Sequence, residues 1–159
     1  EYDEAIALIN KYNDKVPFVK QLSDRCMRKA NETGVIRTKK GRKCRFNLWE
    51  PKDFGVYTPE KFDNAVAKYG RNNIKRCYTY KALNRLIQGS AADQTKAAIV
   101  ACKEELGIQP ILQIHDELCF NVEDKSQIEK IKNTMENCMD LNVPSVVDVA
   151  LGKNFGEAM

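Results

Sequence analysis

The chain has 159 residues, 43% hydrophobic and 30% charged, a balance that suits one soluble globular domain with a real core. No window approaches 18 apolar residues, which excludes a membrane-spanning helix. The net charge of +4 is unevenly spread: residues 1–90 hold 20 Lys/Arg against 10 Asp/Glu, and residues 91–159 hold 6 against 12. A basic half fits a polyanion partner, with ordinary solvated surface as the plainer alternative. The opening EYDEAIALIN has no initiator methionine and no signal-peptide layout, and reads as an entry into something larger. Six cysteines without a C-x-x-C pair, beside a single histidine, do not match common zinc patterns and read as reduced, mostly buried thiols of a cytoplasmic protein.

In chain order, residues 3–13 have a helical pattern. Pro17 suits a helix's first turn, Phe18, Val19, Leu22, Cys26 and Ala30 follow at helical spacing, and Gly34 can close the end. Residues 35–46, VIRTKKGRKCRF, break that period and predict a short basic hairpin with Gly41 in its turn. The stretch WEPKDFGVYTPE is loop-like, and Thr58 before Pro59 predicts a helix over 59–69. A long helical region is expected over 72–107, in one or two pieces, with Leu83, Ile87, Ala91, Thr95, Ala98, Cys102 and Leu106 on one face, stopped by Gly107 and Pro110. Small residues at 89–92 would let another backbone or a ligand approach closely. Residues 111–122 predict a second hairpin. Residues 124–159 predict an amphipathic helix marked by Ile128, Ile131, Met135 and Cys138, a last strand in SVVDVAL, and a tail. Helices interleaved with hairpins and a further strand make an α/β layer domain of the α+β type.

Three features carry chemistry. In QIHDELCF, Asp116 and Glu117 sit beside the only histidine, His115, between apolar flanks. Adjacent residues of a straight strand point to opposite faces, but at a hairpin tip their carboxylates can converge, which suits a hard oxygen-ligated cation such as magnesium. A solvated acidic turn is the plainer reading of those residues alone. The second feature is the basic hairpin, where Arg37, Lys39, Lys40, Arg42, Lys43 and Arg45 put six cations in nine residues, a density that phosphate backbones reward through counterion release. The third is KALNRLIQGSAAD, in which Lys81, Asn84 and Gln88 fall on one helical stripe. The side-chain amides of Asn84 and Gln88 can donate to the minor-groove acceptors common to every base pair.

Taken together and in this order, ALNRLIQGSAAD, a helix and then QIHDELCF resemble the C-terminal palm of family A DNA polymerases, the DNA polymerase I type. ENCMDLNVPSVVDVALGKNFGEAM looks like that family's C-terminal end, and VPFVKQLSDRCMRKANETGVIRTKKGRKCRF is similar to the helix and basic hairpin that follow its nucleotide-binding helix. The resemblance implies that Asp116 is the metal-binding catalytic aspartate, Glu117 its less critical neighbour, and His115 a residue on the primer-terminus side. It implies that Asn84 and Gln88 contact the minor groove of primer–template DNA, and that Arg42 and its neighbours meet duplex backbone. Where the bacterial pattern has an arginine four residues before the asparagine, this chain has Tyr80 followed by Lys81.

The family's D-Y-S-x-x-E motif and the fingers helix that grips the deoxynucleoside triphosphate are not among these 159 residues. The expectation is therefore half of a two-magnesium site, silent alone and completed by a complementary polymerase segment in cis or in trans. The contrasting expectation is a non-catalytic nucleic-acid-binding accessory with a degenerate palm. A metal-dependent nuclease would need further acidic ligands near Asp116.

Overall fold

A computed structural model of the chain describes residues 2–158. The described residues pack as two compact units that divide between Ser90 and Ala91. No helix among the described residues is long and apolar enough to cross a membrane.

The first unit opens with α1 (Tyr2–Lys15) and α2 (Pro17–Thr33), followed by the antiparallel hairpin β1 (Val35–Arg37) and β2 (Lys43–Arg45). Pro17 occupies the first turn of α2, where its missing N–H costs nothing. Gly34 ends α2 in the left-handed region at φ 70°, and its N–H bonds the Ala30 carbonyl, a conformation that glycine enters without the penalty a Cβ brings. The stripe read from the sequence is half used: Cys26 and Ala30 are buried, but Phe18 and Leu22 are exposed. α1 buries none of its residues, and Tyr2, Ile6, Leu8, Ile9 and Tyr12 all face solvent.

The core of this unit gathers Cys26 and Ala30 of α2, Ile36 of β1, Ala82, and Phe46, whose side chain is 2% exposed. Two arginines close it. Arg76 donates to the carbonyls of Asn31 (3.1 Å) and Phe46 (2.9 Å) and stacks on Trp49 at 4.5 Å. Arg85 donates to the Arg45 carbonyl (3.1 Å) and lies over the Phe46 ring at 4.6 Å. Planar guanidinium suits both tasks, since it donates in its plane and stacks on its face.

Residues 47–81 differ most from expectation. β3 (Leu48–Pro51) runs through the stretch read as loop and is the centre of a three-stranded antiparallel sheet, between β4 (Glu60–Lys61) and β5 (Ile74–Arg76). α3 (Phe62–Tyr69) consequently starts three residues after Pro59, because Glu60 and Lys61 pair with Trp49 and Leu48. The region expected to be helical from residue 72 begins with a short 3-10 turn and then β5, and α4 spans Ala82–Leu106. Nothing local forbids helix at 74–76; the ladder to β3 and the burial of Ile74 and Cys77 decide it.

Along α4, Thr95, Ala98 and Cys102 of the second unit are buried, as its stripe predicts, whereas Ile87 of the first unit and Ala91 of the second, on the same predicted face, are exposed. Leu86 packs on the first unit's core in place of Ile87. Gly107, at φ 72°, ends the helix. The hairpin β6 (Leu112–Ile114) and β7 (Glu117–Cys119) follows, then α5 (Ser126–Asn137), which buries Ile131 and Thr134. The last strand expected in residues 145–151 does not form. That segment joins no ladder, and side chains meet it instead: Val147 N donates to Glu136 Oε1 (2.9 Å) and Ser145 Oγ accepts from Gln94 Nε2 (2.6 Å). A strand needs an edge to pair with, and alternating valines do not supply one. The α+β class with its antiparallel hairpins holds.

Two measurements check this account. Gly34→Ala forces a left-handed Cβ to within 2.7 Å of the Arg76 guanidinium. It should lower stability in denaturant unfolding by about 2 kcal/mol. The Cys77 thiol is pushed up to about 11, first by burial and then by its hydrogen bond to Glu50 (3.0 Å). An acid raised in the folded state favours folding below its unfolded value, and that contribution is lost as pH rises from about 9 to about 11. Cys77→Ala should flatten that part of the stability–pH curve.

Candidate carboxylate turn and nucleic-acid interface

The register of β6 and β7 pairs Leu112 with Cys119, Gln113 with Leu118 and Ile114 with Glu117. His115 and Asp116 are therefore the two turn residues, and Glu117 is the first residue of β7. His115 has φ 52° and Asp116 does not share the left-handed region. Positive φ at the first turn position alone is the pattern of a type II′ hairpin turn, where glycine is usual. Histidine tolerates it better than a β-branched residue would. Gln113 Nε2 donates to the His115 carbonyl (3.0 Å), and Ile111 N donates to the Cys119 carbonyl (2.8 Å), so the turn is tied on both sides.

His115, Asp116 and Glu117 are all exposed. The apolar flanks anchor the hairpin unequally. Ile114, Leu118, Cys119 and Phe120 are half-buried, while Ile111 is 72% and Leu112 46% exposed. Two neighbouring carboxylates at an open tip are the oxygen donors that a hard cation takes. Among the described residues no group of three or more His, Cys, Asp or Glu side chains gathers to hold a metal. Their chemistry suits a hard cation such as magnesium, but these two carboxylates alone do not make a site.

In the first unit the six cations of the basic hairpin divide by role. Arg37 Nη1 donates to the Gly41 carbonyl (2.9 Å) across the turn, and Arg42 Nη2 donates to the Gly89 carbonyl of α4 (2.8 Å). Lys39, Lys40, Lys43 and Arg45 are exposed, and among the described residues none of these four side chains has an ion-pair partner. Asn84 and Gln88 lie one turn apart on α4, both exposed. Lys81 stands just before the helix in a 3-10 turn, with its ammonium 4.8 Å from the Tyr78 ring and 5.6 Å from that of Tyr80. Thr38 and Ser90, which sequence reasoning passed over, hold the hairpin tip on α4. Ser90 Oγ accepts from Lys39 N (3.0 Å), and the Thr38 methyl lies where a Cβ on Gly89 would go. The small-residue run at 89–92 was the available signal.

The model of DNA polymerase family A matches residues 1–157. The chain belongs to DNA polymerase family A. It is 41% identical over 156 residues to a DNA-directed DNA polymerase of Pseudomonas phage M6, which covers 98% of this chain and 20% of that protein. It is 33% identical to DNA polymerase I of Caldicellulosiruptor bescii, over 97% of this chain and 17% of the relative. The chain thus spans about a fifth of the length of the curated relatives it matches. Among solved structures, the POL domain of Pol1 from M. smegmatis, a complex with DNA primer-template and dNTP, superposes with a TM-score of 0.63 at 26% identity, covering 91% of this chain and 24% of that one. The family A assignment agrees with the resemblance carried by ALNRLIQGSAAD and QIHDELCF.

The turn's backbone gives a direct check. His115→Gly should leave stability unchanged or raise it by up to about 1 kcal/mol, because glycine adopts φ 52° freely, whereas His115→Val should cost about 1–2 kcal/mol. Urea unfolding of the two variants reads the difference.

Proposed function

We propose that this chain supplies one carboxylate wall of a family A polymerase's nucleotidyl-transfer site and part of the surface that holds primer–template DNA. The observation that carries the reading is Asp116 at the exposed tip of a two-residue turn, next to Glu117, in a chain whose relatives are DNA polymerases. In the reaction a primer 3′-hydroxyl attacks the α-phosphate of a deoxynucleoside triphosphate in line and pyrophosphate leaves. Magnesium, when bound, activates the hydroxyl and neutralises charge on the leaving group.

The chain's own residues then have distinct tasks. Asp116 offers carboxylate oxygens to the metal site, with Glu117 as an auxiliary. His115 holds the strained turn that presents Asp116 and lies on the primer-terminus side. Lys39, Lys40, Lys43 and Arg45 offer charge to backbone phosphates, and each cation engaged releases condensed counterions. Asn84 and Gln88 donate to minor-groove acceptors that all base pairs share, which senses pair shape without reading sequence. Lys81, beside Tyr80, provides the cation nearest the position where the bacterial pattern has arginine.

Two carboxylates do not make a full magnesium cage, and a complementary polymerase segment, in cis or in trans, is the partner that completes it. The exposed apolar residues of α1 are a surface such a segment can cover. Residues 1–159 alone should therefore show no primer extension, and adding the complementary segment should restore magnesium-dependent synthesis. In the restored enzyme, Asp116→Ala should reduce synthesis by at least about 1,000-fold and Glu117→Ala by less. Robust extension by the chain alone overturns the half-site. Duplex binding without restored synthesis points to the accessory role instead.

A further inference from the structure

We propose that Gly89 and Ser90 of α4 act, together with Thr38 and Arg42, as a clamp that locks the tip of the basic hairpin onto the helix bearing Asn84 and Gln88. On this view the two elements form one pre-set duplex-facing platform, and the four clamp residues are positioning residues. The inference rests on the duplex-binding reading above and adds what sets the spacing within that surface.

All four residues lie in the first unit, and their contacts interlock. Ser90 Oγ donates to the Leu86 carbonyl one turn back (2.7 Å) and accepts from the backbone N–H of Lys39 (3.0 Å), so both the proton and a lone pair of the hydroxyl are committed. Arg42 Nη2 donates to the Gly89 carbonyl (2.8 Å). Within the turn, Thr38 N donates to the Arg42 carbonyl (3.0 Å), Gly41 N to the Thr38 carbonyl (2.9 Å), and Arg42 N to the Thr38 hydroxyl (3.1 Å). Thr38 is 4% exposed although it sits in a turn of lysines and arginines. Its methyl is the reason. A Cβ built on Gly89 would meet Thr38 Cγ2 at 2.8 Å and the Arg42 guanidinium at 3.4 Å. Glycine inside a helix weakens it relative to alanine, so its presence here is explained by the hairpin tip occupying the space of the missing methyl.

The consequence concerns charge placement. A two-stranded hairpin is marginal by itself, and a loose one would have to be ordered when it met DNA. Seated on α4, it holds Lys39, Lys40, Lys43 and Arg45 at a fixed distance from Asn84 and Gln88, so that backbone and minor groove are met together. Arg42 is thereby reassigned. Its Nη2 donates to the Gly89 carbonyl, and its part in binding is to seat the tip.

The test uses the whole chain and a primer–template duplex of one defined length. Fluorescence anisotropy across a salt series, well below the unfolding temperature, gives affinity and the slope of log K against log salt. Amide hydrogen exchange at Lys39, without DNA, reads the clamp independently. Gly89→Ala should speed Lys39 exchange at least 10-fold, weaken duplex binding at least 10-fold and reduce the salt slope by about 1 or more. Adding Thr38→Ser, which deletes the methyl and keeps the hydroxyl, should return affinity and slope to within about threefold and 0.3 of the parent. General destabilisation would not produce that rescue. Ser90→Ala removes the Lys39 bond without adding an atom and carries the same comparison if Gly89→Ala does not fold.

Faster Lys39 exchange with unchanged affinity and slope overturns the positioning role while leaving duplex binding intact. Unchanged exchange in both variants, or failure of Thr38→Ser to rescue, overturns the clamp. A parent chain with no duplex affinity overturns the duplex-binding reading itself, and the exchange data still report whether the clamp exists.

Discussion

The Thr38 methyl fills the space that a side chain at Gly89 would need, 2.8 Å from where its Cβ would lie, and the placement of the basic hairpin follows from it. Close packing leaves no slack for a side chain at residue 89, and two hydrogen bonds on either side keep the tip from sliding. One faces the Ser90 hydroxyl and the other the Gly89 carbonyl. The hairpin itself is only three residues per strand, too short to hold its own geometry against solvent. Its position is borrowed from α4 at the tip and from the Phe46 core at the base.

Positive charge in this unit does two kinds of work. Arg76 and Arg85 are consumed in closing the core, where each donates to backbone carbonyls and stacks on an aromatic ring. Arg37 and Arg42 brace the hairpin. The remaining cations of the hairpin stay in water. For the three lysines side-chain chemistry accounts for the distinction, since a planar guanidinium satisfies several carbonyls at once whereas an ammonium keeps its hydration unless an anion replaces it; Arg45 is exposed because of its position on β2. Counting Lys and Arg along the chain therefore does not show which donors are engaged within the protein, although every guanidinium keeps its charge.

The carboxylate turn obeys a different constraint. A two-residue connection between antiparallel strands requires positive φ in the turn, and here His115 takes that conformation with Asp116 directly after it. Strain of this kind persists where surrounding pairing over-determines it. The Ile114–Glu117 pair and the Gln113 side chain do so. The result is an aspartate at a tip that cannot shift register without moving every side chain of the hairpin to the other face.

Features with local causes could be read from the sequence. Pro17 and Gly34 bound α2, Gly41 sits in the first hairpin's turn, Gly107 ends α4, and the apolar runs around His115 and Asp116 mark the second hairpin. The QGSAAD and HDE motifs carried the family. The sheet of β3, β4 and β5 escaped that reading because strands of two to four residues have no period to detect and exist only through their ladder partners. For the same reason the valines at 146, 147 and 149 suggest a strand that finds no edge. The sequence alone determined the helix bounds at Pro17, Gly34 and Gly107, the two hairpin turns, and the family. Only the tertiary structure decided which arginines are engaged within the protein and which cations remain for a partner, because that depends on carbonyls and rings far apart in the sequence, such as Gly89 for Arg42 and Trp49 for Arg76.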